Sequence, residues 1–451
     1  MSNIVSALKS VWTQRKLNWL FQIMIIFTVG LALVFAGCGE SEPDPDPDPV
    51  DWEIITGDGR DLAVLQGDLS EDRTLSSDYD YVLRDAVFVK DGVTLTIEPG
   101  VTIYGENATN GTLIVAQGGK IMAEGTADAP IVMTSDAKIG ERGRGQWGGL
   151  IINGRAPTNQ GITFGEGDTG AFGGDNPADS SGVLRYVRIE YAGIEFSADN
   201  ELNGIAFQGV GSGTVVEYVQ VHMNQDDGIE MFGGTVNLKY ALVTGARDDS
   251  FDWTDGWTGK GQFWVAQQYG DDADNGFEND NSSKNNEATP RSAPTIYNVT
   301  LVGDPDGPES DNGMLIREGA AGTYANFIVT GFTKVGLDVN NESSHKQADD
   351  GKLVVKNSIF FFNGKGNFGD EKDDDGFDEA AWAKGLGNVE TDPNLKDAFN
   401  KDNPDFSPSD GTSSVSVASP PSDGFFDAVN FIGGVSPSNN WTTGWTTNAR
   451  N

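Results

Sequence analysis

The chain has 451 residues, and 68 acidic against 30 basic side chains give it a formal net charge of −38 at pH 7. Such a charge argues against nucleic acids and anionic membrane surfaces as partners, and it favours calcium or a cationic partner. Cys38 is the single cysteine, which excludes an intramolecular disulfide and a thiolate metal cluster.

Residues 1–37 have the organisation of an export signal. Three basic residues and no acid precede an almost wholly apolar run over residues 17–35, and small residues then lead to Cys38. The segment resembles a bacterial lipoprotein signal peptide, in which the cysteine becomes the lipid-bearing first residue of the mature protein. An uncleaved transmembrane anchor is the alternative, because the apolar run is close to the length that spans a bilayer.

Residues 38–53, with their repeated Pro-Asp pairs, predict an extended acidic tether rather than a folded segment. An acidic run directly after a lipid-bearing cysteine also resembles the surface-export signal of Bacteroidetes lipoproteins, although an ordinary spacer has the same composition. We therefore expect an exported protein that a lipid on Cys38 holds at the outer membrane or cell surface.

The folded body is predicted over residues 54–365, because short β-rich runs alternate there with Gly and Asn/Asp turns. A six-residue phrase recurs from residue 202 onward, and its second residue falls at Asn203, Asp227, Asp249, Asn275, Asn312 and Val335. The steps between these positions are 24, 22, 26, 37 and 23 residues. A period in the low twenties with occasional insertions is typical of a solenoid.

A second set of runs, rich in Val, Ile and Tyr, lies between the phrases. These runs cover residues 184–189, 216–221, 238–243, 296–301 and 323–328. Each repeat has strand chemistry and is too short for a strand–helix unit, so the pattern predicts a parallel β-helix. Long loop insertions in single coils are predicted at residues 255–262, 279–294 and 341–350.

Side chains alternate between the two faces of a strand, so the phrase can be sorted into inward and outward positions. The fourth position is uniformly apolar and must face the core; it holds Ile205, Ile229, Phe251, Phe277, Met314 and Leu337. The fifth position then faces outward and stacks Glu230, Asp252 and Glu278 on successive coils, with Asp280 beside the last.

Carboxylates stacked about 4.8 Å apart repel one another, and they either raise each other's pKa or recruit a cation. Carboxylate oxygens beside Asn and backbone carbonyls are the ligands that calcium prefers. We therefore predict a calcium site formed by Glu230, Asp252, Glu278 and Asp280. A plain acidic surface is the alternative interpretation.

The turn residues of the phrase have a different predicted role. They precede Gly or Ser, where left-handed backbone geometry and Asx turns are favoured, and stacked side chains there can bind the turn backbones of neighbouring coils. We interpret this row as structural; it comprises Asn203, Asp227, Asp249, Asn275 and Asn312.

The periodicity fades after residue 362, and residues 366–451 are predicted to form an acidic loop and a C-terminal capping region. The acidic run over residues 370–379 imitates part of an EF-hand loop, but Trp382 stands where the closing glutamate is needed. The aromatic and Gly-rich tail, residues 431–445, is interpreted as an end cap that covers the exposed core and strand edges.

Three motifs together carry a family resemblance: TLTIEPG at residues 94–100, GGKIMAEGT at 118–126 and WGGLI at 147–151. They resemble a largely uncharacterised group of bacterial surface lipoproteins with a pectin-lyase-like right-handed β-helix. Matching segments also occur at residues 226–234 and 441–445. The resemblance implies an all-β, right-handed parallel β-helix over nearly all of residues 60–450, and it supplies no established reaction.

The favoured function is a non-catalytic, lipid-anchored surface protein that uses calcium and binds extracellular glycan or has a structural or adhesive role in the envelope. Its expected partners are the membrane, extracellular polysaccharide, envelope proteins or further copies of the chain. Phe232 and Trp257 are candidates for stacking on sugar rings, and Arg317 is a further candidate ligand contact. Trp264 better suits a core position.

The alternative is a calcium-dependent polysaccharide lyase or a glycoside hydrolase, since both chemistries occur on similar β-helices. A lyase needs a base for the proton α to a uronate, and Arg317 and Lys260 are the candidates, although Arg317 also suits a salt bridge. A hydrolase needs two carboxyl groups about 5–5.5 Å or 6.5–9.5 Å apart. Any stacked column of acids satisfies these spacings, so they discriminate poorly.

Overall fold

The computed structural model describes residues 52–57, 59–197, 200–369, 376–409 and 415–451. The predicted signal peptide, Cys38 and the tether up to residue 51 lie outside the described residues. Glu53–Asn451 forms one compact unit. Among the described residues, no helix combines the length and the apolar character needed to cross a bilayer.

Short strands form nearly all of the regular structure. The first fifteen are β1 (Ile54–Gly57), β2 (Arg60–Leu69), β3 (Arg73–Leu75), β4 (Asp80–Val89), β5 (Thr94–Ile97), β6 (Thr102–Gly105), β7 (Thr112–Val115), β8 (Lys120–Glu124), β9 (Ile131–Ser135), β10 (Leu150–Asn153), β11 (Thr163–Phe164), β12 (Ala171–Phe172), β13 (Gly182–Glu190), β14 (Glu195–Ser197) and β15 (Asn200–Glu201). The others are β16 (Ile205–Gln208), β17 (Val215–His222), β18 (Ile229–Phe232), β19 (Asn237–Thr244), β20 (Phe251–Thr254), β21 (Lys260–Gln267), β22 (Phe277–Asn279), β23 (Thr295–Val302), β24 (Met314–Ile316), β25 (Gly322–Thr330), β26 (Leu337–Val339), β27 (Leu353–Lys356), β28 (Ile359–Phe361), β29 (Leu395–Asp397) and β30 (Asp405–Pro408). The described α-helices are α1 (Glu342–Asp349) and α2 (Glu379–Gly385).

Each middle coil contributes three strand segments, and like segments of successive coils pair in parallel. The first sheet continues from β4 through β7, β10, β16, β18, β20, β22, β24 and β26. The long strands β13, β17, β19, β21, β23 and β25 bend once and supply the second and third sheets. The all-β, right-handed parallel β-helix predicted from the sequence is confirmed.

The inward column of the first sheet is the one that alternation predicted. Ile205 pairs with Ile229, which pairs with Phe251, and the column continues through the later coils. Every member is fully buried, including Phe277, Met314 and Leu337. Burial of each of these side chains contributes roughly 1.5–3 kcal/mol to folding, so the repeated apolar position fixes which face of the strand lies inside.

The bend of the long strands is built from residues with left-handed backbone geometry, an uncommon conformation for residues other than Gly. The rings of Tyr186, Tyr218, Tyr240 and Phe263 stack there on successive coils, with centroid distances of 4.5, 4.3 and 5.0 Å. Stacked rings at this spacing attract one another, which offsets part of the backbone cost. The positive-φ residues of the bend are Tyr186, Tyr218, Tyr240, Phe263, Asn298, Asn326 and Asn357.

The predicted insertions differ from the structure at two places. The stretch 255–262 is a loop only up to residue 259, because β21 begins at Lys260. Gly261 occupies the core position of β21, where a Cβ atom would lie 2.6 Å from the Trp264 ring, so the usual aliphatic signal is missing. The stretch 341–350 contains α1 rather than an irregular loop.

One predicted strand phase is also shifted. Ile296 pairs with Tyr324, so the last copy of the second set of runs begins one residue later than the predicted 323–328.

Residues 376–390 cover the last coil of the β-helix. The carboxylate of Asp378 caps α2 by accepting a hydrogen bond from the Ala381 amide at 2.8 Å. Helix α2 lies against β26, and Val389 forms a parallel bridge with Ile359. Residues 370–375 of the predicted acidic loop lie outside the described residues.

Residues 415–451, which we call the C-terminal strap, pack along the flank of the β-helix instead of forming the predicted end cap. Asn326 and Asn298 donate side-chain hydrogen bonds to strap carbonyls at 2.9 Å each, and Gln220 donates another at 2.7 Å. Strap residues Ile432 and Val435 are fully buried. The physical reason is that outward positions of the third sheet are apolar, and the strap removes them from water.

Candidate metal centre

The outer face of the first sheet carries acids on three consecutive coils. Glu230 lies opposite Asp252, and Asp252 lies opposite Glu278, in the parallel pairs of β18, β20 and β22. Ala206 stands at the same position one coil earlier and Leu315 one coil later. The register therefore gives these three acids the stacked placement expected from the sequence.

The turns before these strands carry a second, more deeply buried row. Asp227 Oδ1 accepts a hydrogen bond from the Asp249 amide at 2.9 Å, and Asp249 Oδ1 accepts one from the Asn275 amide at 2.6 Å. Asn275 Oδ1 accepts from Asn312 Nδ2 at 2.9 Å. These bonds join the turns of successive coils, which is the structural role that the sequence indicated for this row.

The two rows together form a cluster of carboxylates. In three overlapping groups, one oxygen from each residue lies within 4.8 Å of the others. The groups are Asp226, Asp227 and Asp248; Asp227, Glu230 and Asp252; and Asp248, Asp249 and Asp274. We call these residues the acidic cluster.

Burial and mutual repulsion raise the pKa values in the acidic cluster. Burial is the larger cause, and it raises the pKa of Asp226 to about 8 and that of Asp274 to about 7. The pKa values of Glu230 and Asp252 lie well above their ordinary range, because burial disfavours the charged form and neighbouring carboxylates add repulsion. The folded protein therefore retains protons on this cluster near neutral pH unless a cation replaces them.

The donor set fits a hard divalent cation such as calcium, which prefers carboxylate and amide oxygens. Asp252 Oδ1 is buried and has no hydrogen-bond partner among the described residues, and the same holds for Asn203 Oδ1. A buried oxygen without a donor costs about 1–3 kcal/mol or more, and coordination to a cation would remove that cost. Asp227, Glu230 and Asp252 would hold the ion, with Asn203 as a neutral donor beside them.

The other two predicted ligands, Glu278 and Asp280, are engaged by a cation of the protein itself. Arg317 Nε donates to Asp280 Oδ1 at 2.9 Å, and Arg317 Nη2 is hydrogen-bonded to Glu278. Burial acts to lower the pKa of Arg317, but the bond to Asp280 and the charges of both carboxylates raise it overall. Arg317 is therefore a salt-bridge partner that remains charged, not a base.

Replacing Arg317 with Met is expected to lower the free energy of unfolding by about 2 kcal/mol, because it leaves Glu278 and Asp280 without their cation. The loss is smaller than for a fully buried pair, since the Arg317 side chain is 37% exposed. Urea unfolding at neutral pH measures it. Arg185→Met, which breaks ion pairs with the more exposed Glu124 and Glu217, is the control and should change stability by less than about 1 kcal/mol.

Two further predicted site residues lie away from the acidic cluster. Lys260 begins β21, outside the first sheet, and its Nζ forms an ion pair with Asp423 at 2.5 Å. Trp257 is fully buried, and its Nε1 donates to the Val236 carbonyl at 3.1 Å. The prediction that Trp257 stacks on a ligand is therefore wrong, because its ring belongs to the core.

Trp264 has the core placement that the sequence indicated, and the ligand contact predicted for Phe232 stays a prediction. Trp264 is fully buried and donates to the Leu238 carbonyl at 3.0 Å, in keeping with a core residue. Phe232 is partly exposed on the outer face of β18, two residues beyond Glu230. Its ring packs against Phe172 with a centroid distance of 6.2 Å.

The repeat pattern did not predict that Asp226, Asp248 and Asp274 belong to the metal site. The signal is present, since Asp stands at the first position of consecutive phrases. These residues precede the strands, however, so the alternation of strand side chains does not say where they point. Only the conformation of the turn brings them beside the outer acids.

A family model described as a pectate-lyase-like beta helix domain matches residues 67–446 of the chain. No curated protein and no solved structure matches.

Proposed function

The chain belongs to the family of pectate-lyase-like β-helix domains, and we propose that it is a lipid-anchored, surface-exposed member that holds calcium in its acidic cluster and binds extracellular glycan without cleaving it. The lipid anchor and the surface location rest on the sequence pattern that ends at Cys38. The calcium and glycan assignments rest on the outer face of the first sheet.

The observation that carries the calcium assignment is the group formed by Asp227, Glu230 and Asp252. Three carboxylate oxygens lie within 4.8 Å of one another, and Asp252 Oδ1 is buried with no hydrogen-bond donor among the described residues. The nearest basic group of the column, Arg317, is committed to Glu278 and Asp280 instead. A divalent cation would take the place of the protons that these carboxyl groups otherwise retain near neutral pH.

Glycan binding is supported by aromatic and polar side chains on the same face. Phe232 and Thr254 lie opposite each other on neighbouring strands, two residues beyond Glu230 and Asp252 respectively. An extended polymer running along this face would meet the acidic cluster and the ring of Phe232 together. Calcium would then bridge the protein to hydroxyl or carboxylate oxygens of the glycan.

A binding protein is favoured over a lyase because Arg317 stays charged and Lys260 lies away from the acidic cluster. The pKa of Arg317 is raised by its two carboxylate partners, which keeps the guanidinium charged. Lys260 is paired with Asp423 on another part of the β-helix. General-base catalysis needs a group that is deprotonated near the working pH, and the charged Arg317 does not meet that need.

A glycoside hydrolase is the second candidate, because Glu230 and Asp252 are neighbouring carboxyl groups with raised pKa values. Oxygens of the two residues lie within 4.8 Å of each other, near the separation of about 5–5.5 Å in retaining enzymes. Incubation with neutral and acidic polysaccharides, with calcium present, tests for reducing ends and for unsaturated products that absorb ultraviolet light. Turnover that disappears in Glu230→Gln would replace the binding function with an enzyme.

Calcium binding is measured directly by isothermal titration of the metal-free protein. We expect saturable binding, and Asp252→Asn should weaken it by about tenfold or more, because the variant removes one of three charged ligands. Asp128→Asn, which removes an exposed acid elsewhere, serves as the matched control and should leave the affinity unchanged. Absence of calcium binding in the unmodified protein would refute the metal half of the proposal.

A further inference from the structure

A cleft of about 270 Å³ lies beside the acidic cluster, at the ends of β16, β18 and β20. One wall is the antiparallel pair of β11 and β12, which is inserted between coils of the β-helix. The cleft is slightly smaller than the roughly 300–1,000 Å³ pockets that hold drug-sized ligands, so it suits one small ring.

The apolar surface of the cleft consists of Phe rings in different environments. Phe172 is 2% exposed and packs against Phe232, which anchors the inserted pair to the first sheet. Phe164, on the other strand of the pair, is 77% exposed although it lines the cleft. The ring of Phe164 at the mouth of the cleft is therefore accessible to a ligand that enters it.

The polar surface of the cleft includes an unsatisfied group. Gln208 is 2% exposed, and its Oε1 is buried without a hydrogen-bond partner among the described residues. It lies directly opposite Phe232 in the parallel pair of β16 and β18. A cleft-lining amide oxygen of this kind is a ready acceptor for a hydroxyl group of a ligand.

Further hydrogen-bonding groups line the cleft beside Gln208 and Phe232. Thr254 follows Phe232 across the sheet and lines the cleft with its neighbour Asp255. Gln160 Nε2 donates to Asp255 Oδ1 at 3.0 Å, which holds that carboxylate in place. The cleft thus presents ring faces together with amide, hydroxyl and carboxylate groups, the combination that suits the C–H face and the hydroxyl edge of a sugar ring.

The charge of the cleft selects among sugars. Glu166 and Asp255 line it against a single cation, Lys284, and the chain as a whole carries a charge of −38. An anionic sugar would be repelled here unless calcium accompanied it. Lys284 in turn disfavours an organic cation held against the aromatic rings.

We propose that this cleft binds one neutral sugar residue of an extracellular glycan, with Phe164 and Phe232 against the ring and Gln208 bonded to its hydroxyls. The inference rests on the glycan-binding half of the proposed function and assigns its ligand class and position. It is independent of the calcium half, because the cleft residues are not the cluster residues.

The test is an array of neutral glycans (glucan, mannan, xylan, galactan and N-acetylhexosamine polymers) and acidic ones (pectin and alginate), probed with and without calcium. We expect binding to at least one neutral glycan that persists after calcium is chelated. Phe164→Ala should weaken that binding by at least about tenfold, the effect of losing about 1.4 kcal/mol of ring contact. Phe164 is exposed, so the substitution should leave folding intact, and an unchanged Tm verifies this.

Gln208→Ala is the second variant and should weaken binding to the same neutral glycan, and Ile139→Ala is the control. Ile139 is 84% exposed elsewhere and should leave binding unchanged. Binding to acidic glycans alone would overturn the neutral-sugar assignment but keep the proposed function, whereas no binding to any glycan would overturn both. Neutral-glycan binding retained in Phe164→Ala, or binding of choline in place of sugars, would likewise refute the inference.

Discussion

The metal-free protein is expected to lose thermal stability as the pH rises from about 5 to 8, and calcium is expected to abolish most of that loss. The pKa values of the proposed ligands Asp227, Glu230 and Asp252 lie well above their ordinary range in the folded state, and that of Asp226 is raised to about 8, chiefly by burial. Unfolded Asp and Glu titrate near pH 4, so the folded state binds more protons than the unfolded state between pH 4 and 8. Stability therefore falls as the pH rises through this window.

The size of the effect follows from the number of groups involved. Each unit by which a folded-state pKa exceeds the unfolded value costs about 1.4 kcal/mol once the group ionises, and coupled groups cost less than their sum. A net loss on the order of 5 kcal/mol, at about 2 °C per kcal/mol for a large domain, lowers Tm by about 10 °C. Calcium binding replaces the protons and restores stability by mass action.

Scanning calorimetry at a series of pH values, with chelator and then with millimolar calcium, measures this result. Asp252→Asn should flatten the pH profile in chelator and reduce the gain from calcium, because it removes one raised carboxyl group. Asp128→Asn should reproduce the profile of the unmodified protein. A Tm that rises between pH 5 and 8 in chelator, or a profile that calcium leaves unchanged, would contradict the assignment.

Replacing Gly434 with Ala is expected to detach the C-terminal strap and to lower the free energy of unfolding by about 3 kcal/mol. A Cβ atom at this position would lie 2.1 Å from the backbone carbonyl oxygen of Trp264, which the β21 ladder holds in place. The Gly434 amide also donates to Thr300 Oγ1 at 2.9 Å, so a displaced strap loses that bond as well. Outward apolar residues of the third sheet would then meet water.

Guanidinium unfolding and limited proteolysis of the strap measure this outcome. Gly385→Ala is the matched control, because no neighbouring atom lies within 4 Å of the added methyl group and the Gly385 backbone is outside the left-handed region. The emission of Trp441 and Trp445, which contact the stacked tyrosines, should shift only in the strap variant. Equal stability of the two variants would show that the strap contributes little to folding.

The fold was largely readable from the sequence because a parallel β-helix repeats its strand register. The apolar fourth position of the phrase, from Ile205 to Leu337, fixes which side chains enter the core, and strand alternation then places Glu230, Asp252 and Glu278 outside. The prediction of strand boundaries failed where the usual apolar residue is absent from a core position. The start of β21 was missed because Gly261 occupies a core position where other coils have an aliphatic residue. The Trp264 ring fills the space that a side chain would take there.

The candidate site was only half readable, because its remaining acids lie in turns. Asp226, Asp248 and Asp274 have no alternation to orient them, and their approach to the outer acids depends on turn geometry. The sequence also did not predict the contacts of the charged and aromatic candidates. Arg317 forms ion pairs with Glu278 and Asp280, and Trp257 is buried in the core. The cleft required an inserted strand pair to reach the first sheet, a contact between segments distant in sequence.

The amino-acid sequence alone determined the solenoid, its apolar interior and the column of acids, since these follow from local periodicity and the fixed spacing of parallel strands. Tertiary structure alone decided which carboxylates lie within 4.8 Å of one another, which cation pairs with Glu278, and where the C-terminal segment packs. These outcomes depend on contacts between residues that no repeat relates, so neither period nor composition encodes them.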